Sequence, residues 1–444
     1  MNYNGKKIAV LGAGESGVAA ALLLAGEGAT VTLLDSAAPD RLRSVAEKIA
    51  PHNISLLAGT AADDDPSRYD LGILSPGIDP SAQLVRNFTR KQTGLIGELE
   101  LSFSLCGKPV IAITGTNGKT TTTELVATML NGSGIRTLAA GNISPAFAAI
   151  VRKCHELDAV TLEVSSFQLE QIREFRPKIA LWLNLTPDHL DRYASMEEYR
   201  NAKLRIFENQ TPDDFAVVNA RDELPALKAR KITFSAMKTG ADFGLNNGII
   251  SHHGTPVLNM SSTKLHGLHN AENLMAAMGA GLAMGLKFEQ MTPPLCAYEP
   301  LPHRCERVGV LHGVDYVNDS KATNIDALEK ALLSESRPVV LIAGGKDKGF
   351  EFDSITPLVA KKVRHAVLIG EMSDRIAKCW GGVVRCEKAG SLENAVEAAQ
   401  AASRPGDVVL FSPGTSSFDM FKNYADRGNQ FRKLIQSIAS HENT

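Results

Sequence analysis

Short apolar runs alternate along this chain with longer stretches whose apolar residues recur every three or four positions. That alternation predicts strands joined by helices, in parallel α/β layers. Lys7 to Leu11 reads as the first strand, Gly12 opens a turn, and Ser16 to Glu27 has helical spacing. Thr30 to Asp35 and Leu71 to Ser75 read as the next strands. After Arg86 the pattern weakens, and Lys91-Gln92-Thr93-Gly94 reads as a linker. A second stretch opens at Val110-Ile111-Ala112-Ile113-Thr114 and continues through strands at Ala159 to Val164, Ile179 to Asn184 and Phe215 to Asn219. Pro293-Pro294, then Pro300 and Pro302, read as a second boundary. The last stretch has strands at Pro338 to Ala343, His365 to Gly370 and Val408 to Ser412.

A chain of 444 residues exceeds one hydrophobic core, so these stretches predict domains at 1–94, 95–299 and 300–444. Polar and glycine residues gather where the strands end: Gly12, Asp35, Ser75, Gly115, Glu163, Asn184, Asp319, Gly344 and Ser412. Parallel sheets bind ligands beyond those ends, so a site shared between domains is expected. A net charge of −2 argues against a nucleic-acid partner. The six cysteines include no C-x-x-C pair, which suits a reducing compartment and offers no zinc cage. Leu274 to Leu286 is too short to span a bilayer, and the first residues lead into a strand without a cleavable signal. A cytoplasmic enzyme without a membrane partner is the expectation.

The strongest chemical signal is Thr114-Gly115-Thr116-Asn117-Gly118-Lys119-Thr120-Thr121-Thr122, between an apolar strand and a helical pattern. Glycines let backbone amides curl round phosphate oxygens, and the helix start adds partial positive charge. Lys119 can reach the outer phosphates and the Thr120 hydroxyl can ligate magnesium. The spacing departs from the full G-x-x-x-x-G-K-[ST] pattern because Ala112 stands at its first glycine. Glu163, at the end of a neighbouring apolar run, fits the metal carboxylate that a nucleoside triphosphate needs; an edge residue facing water is the plainer alternative.

Gly12-Ala13-Gly14-Glu15-Ser16-Gly17 is a G-x-G-x-x-G turn, and Asp35 stands where a ribose-binding acid would. Alone this pattern indicates NAD, yet its geometry requires only the close approach of a phosphate-bearing ligand. Ser75-Pro76-Gly77-Ile78 adds a second polar loop at the same sheet end. A nucleotide-type ligand is expected there, its identity open.

In order along the whole chain stand GAGESG, SPGI, TGTNGKTTT, GNIS, LEVSSFQLE, NLTPDHLDRY, YRNAKLRIF, GLHNAENLMAA, PHRCE, NDSKATN, GGKDKGFEF and SPGTSSFDMFKNYADRGNQF. This set resembles the Mur ligases of peptidoglycan synthesis, most closely those that add D-glutamate to UDP-N-acetylmuramoyl-L-alanine. The resemblance implies a Rossmann-like N-terminal domain for the UDP substrate, a central P-loop-type ATPase domain and a Rossmann-like C-terminal domain for the amino acid. It implies ATP and two magnesium ions as well, and a monomer.

By the same resemblance Gly14, Glu15, Ser16, Asp35, Ser36, Ser75, Pro76 and Gly77 hold the UDP end of the substrate, with Asn142, Gln168 and His189 on the muramoyl side. Gly115, Thr116, Asn117, Gly118, Lys119, Thr120 and Thr121 cradle ATP, with Asn270 and Asn273 at adenine and Arg304 and Asp319 nearby. From the residues alone, Asn270 also reads as a helix N-cap. Thr120, Glu163, His189 and a carbamylated Lys203 hold the metals, and Lys119 and Lys321 complete the catalytic set. Thr323, Lys348, Ser417, Phe418 and Tyr424 face D-glutamate. Two positions depart from the pattern: Tyr424 replaces an expected Phe, and Ala37 an expected basic residue. The implied reaction forms an acyl phosphate, which the amino acid's amine then displaces. Alternatives are another Mur-type or folylpolyglutamate-type amide ligase, an NAD-dependent oxidoreductase, or a nucleotide-binding regulatory module.

Overall fold

Three mostly parallel sheets carry the chain in a computed structural model that describes residues 2–91, 93–188, 192–299, 302–347 and 351–442. The first sheet comprises β1 (Lys7–Leu11), β2 (Thr30–Asp35), β3 (Ser55–Ala58), β4 (Leu71–Leu74) and β5 (Leu95–Gly97), in the order β3-β2-β1-β4-β5. The second has β6 (Val110–Thr114), β7 (Thr137–Gly141), β8 (Ala159–Glu163), β9 (Ile179–Trp182), β10 (Phe215–Asn219) and β11 (Arg230–Ser235), then β12 (Phe243–Asn246), β13 (Ile249–His252) and β14 (Thr255–Asn259). Its order is β14-β13-β12-β11-β10-β9-β6-β8-β7, with β12 to β14 antiparallel at one edge. The phosphate-loop strand β6 therefore lies between β8 and β9, deep in the sheet.

The third sheet comprises β15 (Glu306–Leu311), β16 (Val314–Asn318), β17 (Val339–Gly344), β18 (Val363–Ile369), β19 (Arg385–Lys388) and β20 (Val408–Phe411), in the order β15-β16-β20-β17-β18-β19. Alternate residues enter two cores. Val339, Leu341 and Ala343 join Leu328 and Trp380, while Val340 and Ile342 join Val396 and Phe431. A parallel strand covered on both faces reads as a continuous apolar run, which is why β17 is visible in the sequence.

The chain forms two compact units, one of Met1–Leu185, Ser195–Asn259 and Glu272–Ala297, the other of Thr186–Ala194, Met260–Ala271 and Tyr298–Thr444. Within the first unit one continuous core runs from Ile8, Val10 and Leu24 to Phe147, Val160 and Trp182, and a second packs Ala9, Leu11 and Leu74 against Leu84 and Phe88. The stretch around 94 thus joins two sheets that share one apolar interior.

Pro293-Pro294 lie inside the helix Phe288–Ala297, whose last residue also ends the first unit, so the chain changes unit between the two proline pairs. A proline at 294 cannot donate to the Gln290 carbonyl four residues back. Ser133 Oγ makes that bond instead, at 3.0 Å. Gly132 gives the room, since a Cβ there would come 2.6 Å from Pro294.

Candidate active site

The loop after β6 needs its glycines. Gly115 has φ 156° and Gly118 φ 82°, and a Cβ at Gly118 would meet Asn273 Oδ1 at 2.4 Å. Asn184, just past β9, clasps the loop. Its Oδ1 accepts from Asn117 N at 2.9 Å, its Nδ2 donates to Asn117 O at 3.0 Å, and its carbonyl accepts from Thr116 N at 3.0 Å. Lys119 opens the helix Lys119–Gly132, and its Nζ folds back to Gly115 O (2.9 Å) and Thr116 O (2.7 Å). The first-turn amides of Thr120 and Thr121 lie in the part of a helix where no intrahelical acceptor exists, the usual seat of phosphate.

Glu163 is 3% exposed at the end of β8, which rules out an edge residue facing water. Its Oε2 accepts from Thr120 Oγ1 at 2.6 Å and its Oε1 from Asn142 Nδ2 at 2.9 Å. Hydroxyl and carboxylate oxygens are the hard donors that magnesium takes, so this pair fits that ion. Lys203, on the helix Met196–Leu204, is 1% exposed. Its Nζ donates to Gly115 O at 2.9 Å and lies 4.7 Å from the Tyr199 ring centre. The Tyr199 hydroxyl is 3.3 Å from Thr116 Oγ1. Asn273 Oδ1 accepts from Thr122 Oγ1 at 3.2 Å.

Gln168 serves its own helix start, where its Oε1 accepts from Ser165 N (2.9 Å) and Ser165 Oγ (3.1 Å) in a capping box. Its buried Nε2 has no hydrogen-bond partner, which leaves that donor for a ligand.

Leu11, Leu34 and Leu74 pair in register across β2, β1 and β4, so Gly12, Asp35 and Ser75 leave the first sheet at one edge. Connections from β1 and β4 run to opposite sides there, which opens a ligand crevice. A Cβ at Gly17 would fall 1.8 Å from Gly12 O, so only glycine permits this strand-to-helix turn. Asp35 is used by the backbone: its Oδ2 accepts from Ala13 N at 2.7 Å and its Oδ1 from Ala37 N at 2.8 Å. Ser75 Oγ donates to Gly12 O at 3.1 Å and Ser36 Oγ to Asp63 at 2.6 Å. Gly14 caps the helix Glu15–Gly26, where Ser16 follows, and Pro76 and exposed Gly77 extend the opposite loop. Ser144 Oγ donates to Glu15 Oε1 at 2.7 Å, tying this edge to the turn that carries Asn142.

In the second unit Asp319 follows β16 and is 7% exposed. Burial pushes its carboxyl up to about 6, opposed by hydrogen bonds from Ser412 Oγ (2.7 Å) and Cys305 N (3.1 Å) and by the charge of Arg304. Lys321 Nζ stands 4.0 Å from the Tyr424 ring centre, so the tyrosine keeps the aromatic face expected of phenylalanine. Thr323 is half-buried, Ser417 buried, and Phe418 66% exposed. Arg427, fully buried, donates to Ser320 O (2.8 Å) and Thr415 O (3.2 Å), bracketing the segments of Lys321 and Ser417.

A cavity of about 400 Å³ in this unit is lined by Asn270 and Arg304 with Lys264 and His269, and by Arg307 and Arg337, which pair with Asp315 of the same lining. Asn270 is not an N-cap: it is the third residue of the helix Leu268–Ala283, and its Nδ2 donates to His266 O at 2.9 Å. His189 and Lys348 lie outside the described residues.

The structure thus brings Lys119, Thr120, Asn142, Glu163, Lys203 and Asn273 around one loop, and Asp319, Lys321, Ser417 and Tyr424 around the segments that Arg427 brackets. Asn184, Tyr199 and Arg427 are not among the expected site residues. Asn184 has a signal, a polar residue at a strand end; the other two act through contacts distant in sequence.

Residues 113–281 match the Mur ligase middle domain, and 303–414 match the Mur ligase glutamate ligase domain. A protein of Geotalea uraniireducens named UDP-N-acetylmuramoylalanine--D-glutamate ligase is 40% identical over 447 residues, covering 99% of each chain. One of that name from Trichlorobacter lovleyi is 41% identical over 447 residues, covering 99% of this chain and 100% of the other. Among solved structures, the UDP-N-acetylmuramate-alanine ligase of Thermotoga maritima superposes with a TM-score of 0.63 at 18% identity, covering 97% of this chain and 99% of that one. A pseudomurein peptide ligase type C from Methanothermus fervidus gives 0.60 at 19%, covering 98% and 100%. These two likenesses concern the fold, whereas full-length identity near 40% decides descent. The chain belongs to the Mur ligase family.

Proposed function

We propose that this protein joins D-glutamate to UDP-N-acetylmuramoyl-L-alanine, using ATP and passing through an acyl phosphate. The observation that carries this reading is the phosphate loop with its Thr120–Glu163 hydrogen bond, in a chain colinear with relatives of that name. Residues 1–94 would bind the UDP end, 95–299 ATP, and 300–444 the amino acid. The protein would act in the cytoplasm as a monomer; among the described residues no helix is long and apolar enough to cross a membrane.

The substrate carboxylate attacks the γ-phosphoryl group of ATP, and ADP leaves. The D-glutamate amine then attacks the acyl carbon, phosphate departs, and the amide remains. Both steps bring anions together, so fixed positive charge and oriented donors lower the barrier. Lys119 and the first-turn amides of Thr120 and Thr121 hold the outer phosphates, and Arg304 and Asp319 orient the nucleotide beside Asn270 and Asn273. Thr120 and Glu163 would hold one magnesium ion, and His189 and Lys203 a second; bound there, the ions neutralise phosphate charge. Lys321, Thr323, Lys348, Ser417, Phe418 and Tyr424 would position D-glutamate. The Gly14–Ser16 turn, Asp35, Ser36 and Ser75–Gly77 would seat uridine diphosphate, with Asn142 and the free Gln168 Nε2 reaching the muramoyl group.

Lys203 would act as a carbamate. Its neutral amine adds to carbon dioxide, one N–C bond forms, one proton leaves, and an anion replaces a cation beside the metal site. A carbamate keeps one N–H, enough for the bond to Gly115 O.

ADP release with UDP-N-acetylmuramoyl-L-alanine tests the amino-acid assignment. D-Glutamate should support turnover far above L-alanine, L-lysine or meso-diaminopimelate; equal turnover with any of these would overturn it.

A further inference from the structure

Glu272 precedes Asn273 on the helix Leu268–Ala283 and is 7% exposed. Three donors from the ends of two strands meet its carboxylate. Arg221 Nη2 reaches Oε2 at 2.7 Å, Asn219 Nδ2 reaches the same oxygen at 3.1 Å, and Ala236 N reaches Oε1 at 3.3 Å. Asn219 ends β10, and Ala236 follows β11. The same Asn219 amide also donates to Leu183 O at 3.0 Å, and the next residue is Asn184, which clasps Asn117 and Thr116 of the phosphate loop. On the helix side, Asn273 Oδ1 receives Thr122 Oγ1 and abuts Gly118. One buried carboxylate is therefore shared by the two residues that border the phosphate loop, Asn184 through Asn219 and Asn273 through the helix backbone.

We infer that Glu272 is a positioning residue for ATP: it fixes Asn273 and Asn184 against the phosphate loop, and Arg221 neutralises its charge so that it does not repel the phosphates. This rests on the proposed seating of ATP at Gly115 to Thr121. A charged carboxylate with three donors is worth more than its neutral amide, which must turn one N–H towards a donor. Distortion at this point shifts the loop while leaving the UDP crevice and the amino-acid segments in place.

The test uses the full-length enzyme with Glu272→Gln, Arg221→Met, Asn273→Ala and the Glu272→Gln/Asn273→Ala double variant, each checked by thermal melting. Glu272→Gln should raise KM for ATP about tenfold, leave KM for the UDP substrate and D-glutamate within about twofold, and change kcat less than KM. Arg221→Met should act in the same direction. The double variant should lose less than the sum of the two single losses, because one of the two routes from Glu272 to the loop runs through Asn273. Additive losses, equal rises in all three KM values, or an unchanged KM for ATP in Glu272→Gln beside a raised one in Asn273→Ala would overturn the inference. If Asn273→Ala and Lys119→Ala both left KM for ATP unchanged, the seating of ATP would fail, and the inference with it.

Discussion

Thr120 Oγ1 donates a 2.6 Å hydrogen bond to Glu163 Oε2, joining the first turn of the phosphate-loop helix to the end of the adjacent strand. Helix start, hydroxyl and carboxylate are thereby held in one alignment, as preorganised electrostatic catalysis requires. Glu163→Gln keeps the shape and removes the anion. Its kcat should fall about 10²–10³-fold, the usual loss for one oriented group, with thermal stability nearly unchanged. A variant with kcat within about twofold of the parent, measured at saturating magnesium, would contradict the metal role.

Lys203 gives a sharper chemical test. Lys203→Ala should nearly abolish ligation, and acetate should partly restore it by filling the vacated anion site. Lys203→Arg should stay inactive, because it puts a permanent cation where an anion is needed. Activity in Lys203→Arg, assayed with and without acetate, would refute the carbamate.

Asp35 accepts two backbone N–H groups, so its influence on the UDP substrate runs through loop shape. Asp35→Asn leaves one of those donors facing an amide N–H, a loss of about 1–3 kcal/mol. KM for the UDP substrate should rise roughly tenfold or more while KM for ATP stays put. Steady-state kinetics on both substrates separates this from general unfolding.

Glu98 makes stability depend on pH. It is 1% exposed, accepts from Ala148 N (2.6 Å) and Ser102 Oγ (3.2 Å), and leaves Oε2 without a partner. Burial raises its carboxyl from 4.5 to about 7, against those two hydrogen bonds. The folded state keeps this proton to higher pH than the unfolded chain. The stabilisation is therefore complete below about pH 4.5 and lost as pH rises towards 7, by about 3 kcal/mol. Glu98→Gln should flatten that part of the profile, read by denaturant melts of parent and variant between those two pH values.

How much of this is legible in the sequence depends on burial. β1, β6 and β10 read at their observed bounds because their runs are nearly all apolar and buried, and β2 because Val31, Leu33 and Leu34 stand between polar ends. Ser55–Ala58, a half-exposed strand at the sheet edge, and Leu95–Gly97, only three residues long, give no such run. That Pro293-Pro294 sit inside a helix has no local signal, because the Ser133 hydroxyl that serves the Gln290 carbonyl comes from just past the end of a distant helix. Among site residues, Gly115, Gly118, Lys119 and Thr120 announce themselves by local spacing. Tyr199 and Arg427 have no local signal, since their partners Thr116, Ser320 and Thr415 are fixed only by the tertiary fold.

The most direct test of the central claim is ADP release by the purified protein with ATP, magnesium, UDP-N-acetylmuramoyl-L-alanine and D-glutamate, each omitted in turn. Rapid ADP release is expected only with all of them present, matched mole for mole by the D-glutamyl product. The same rate with D-glutamate omitted would contradict it and mark the protein as a plain ATPase.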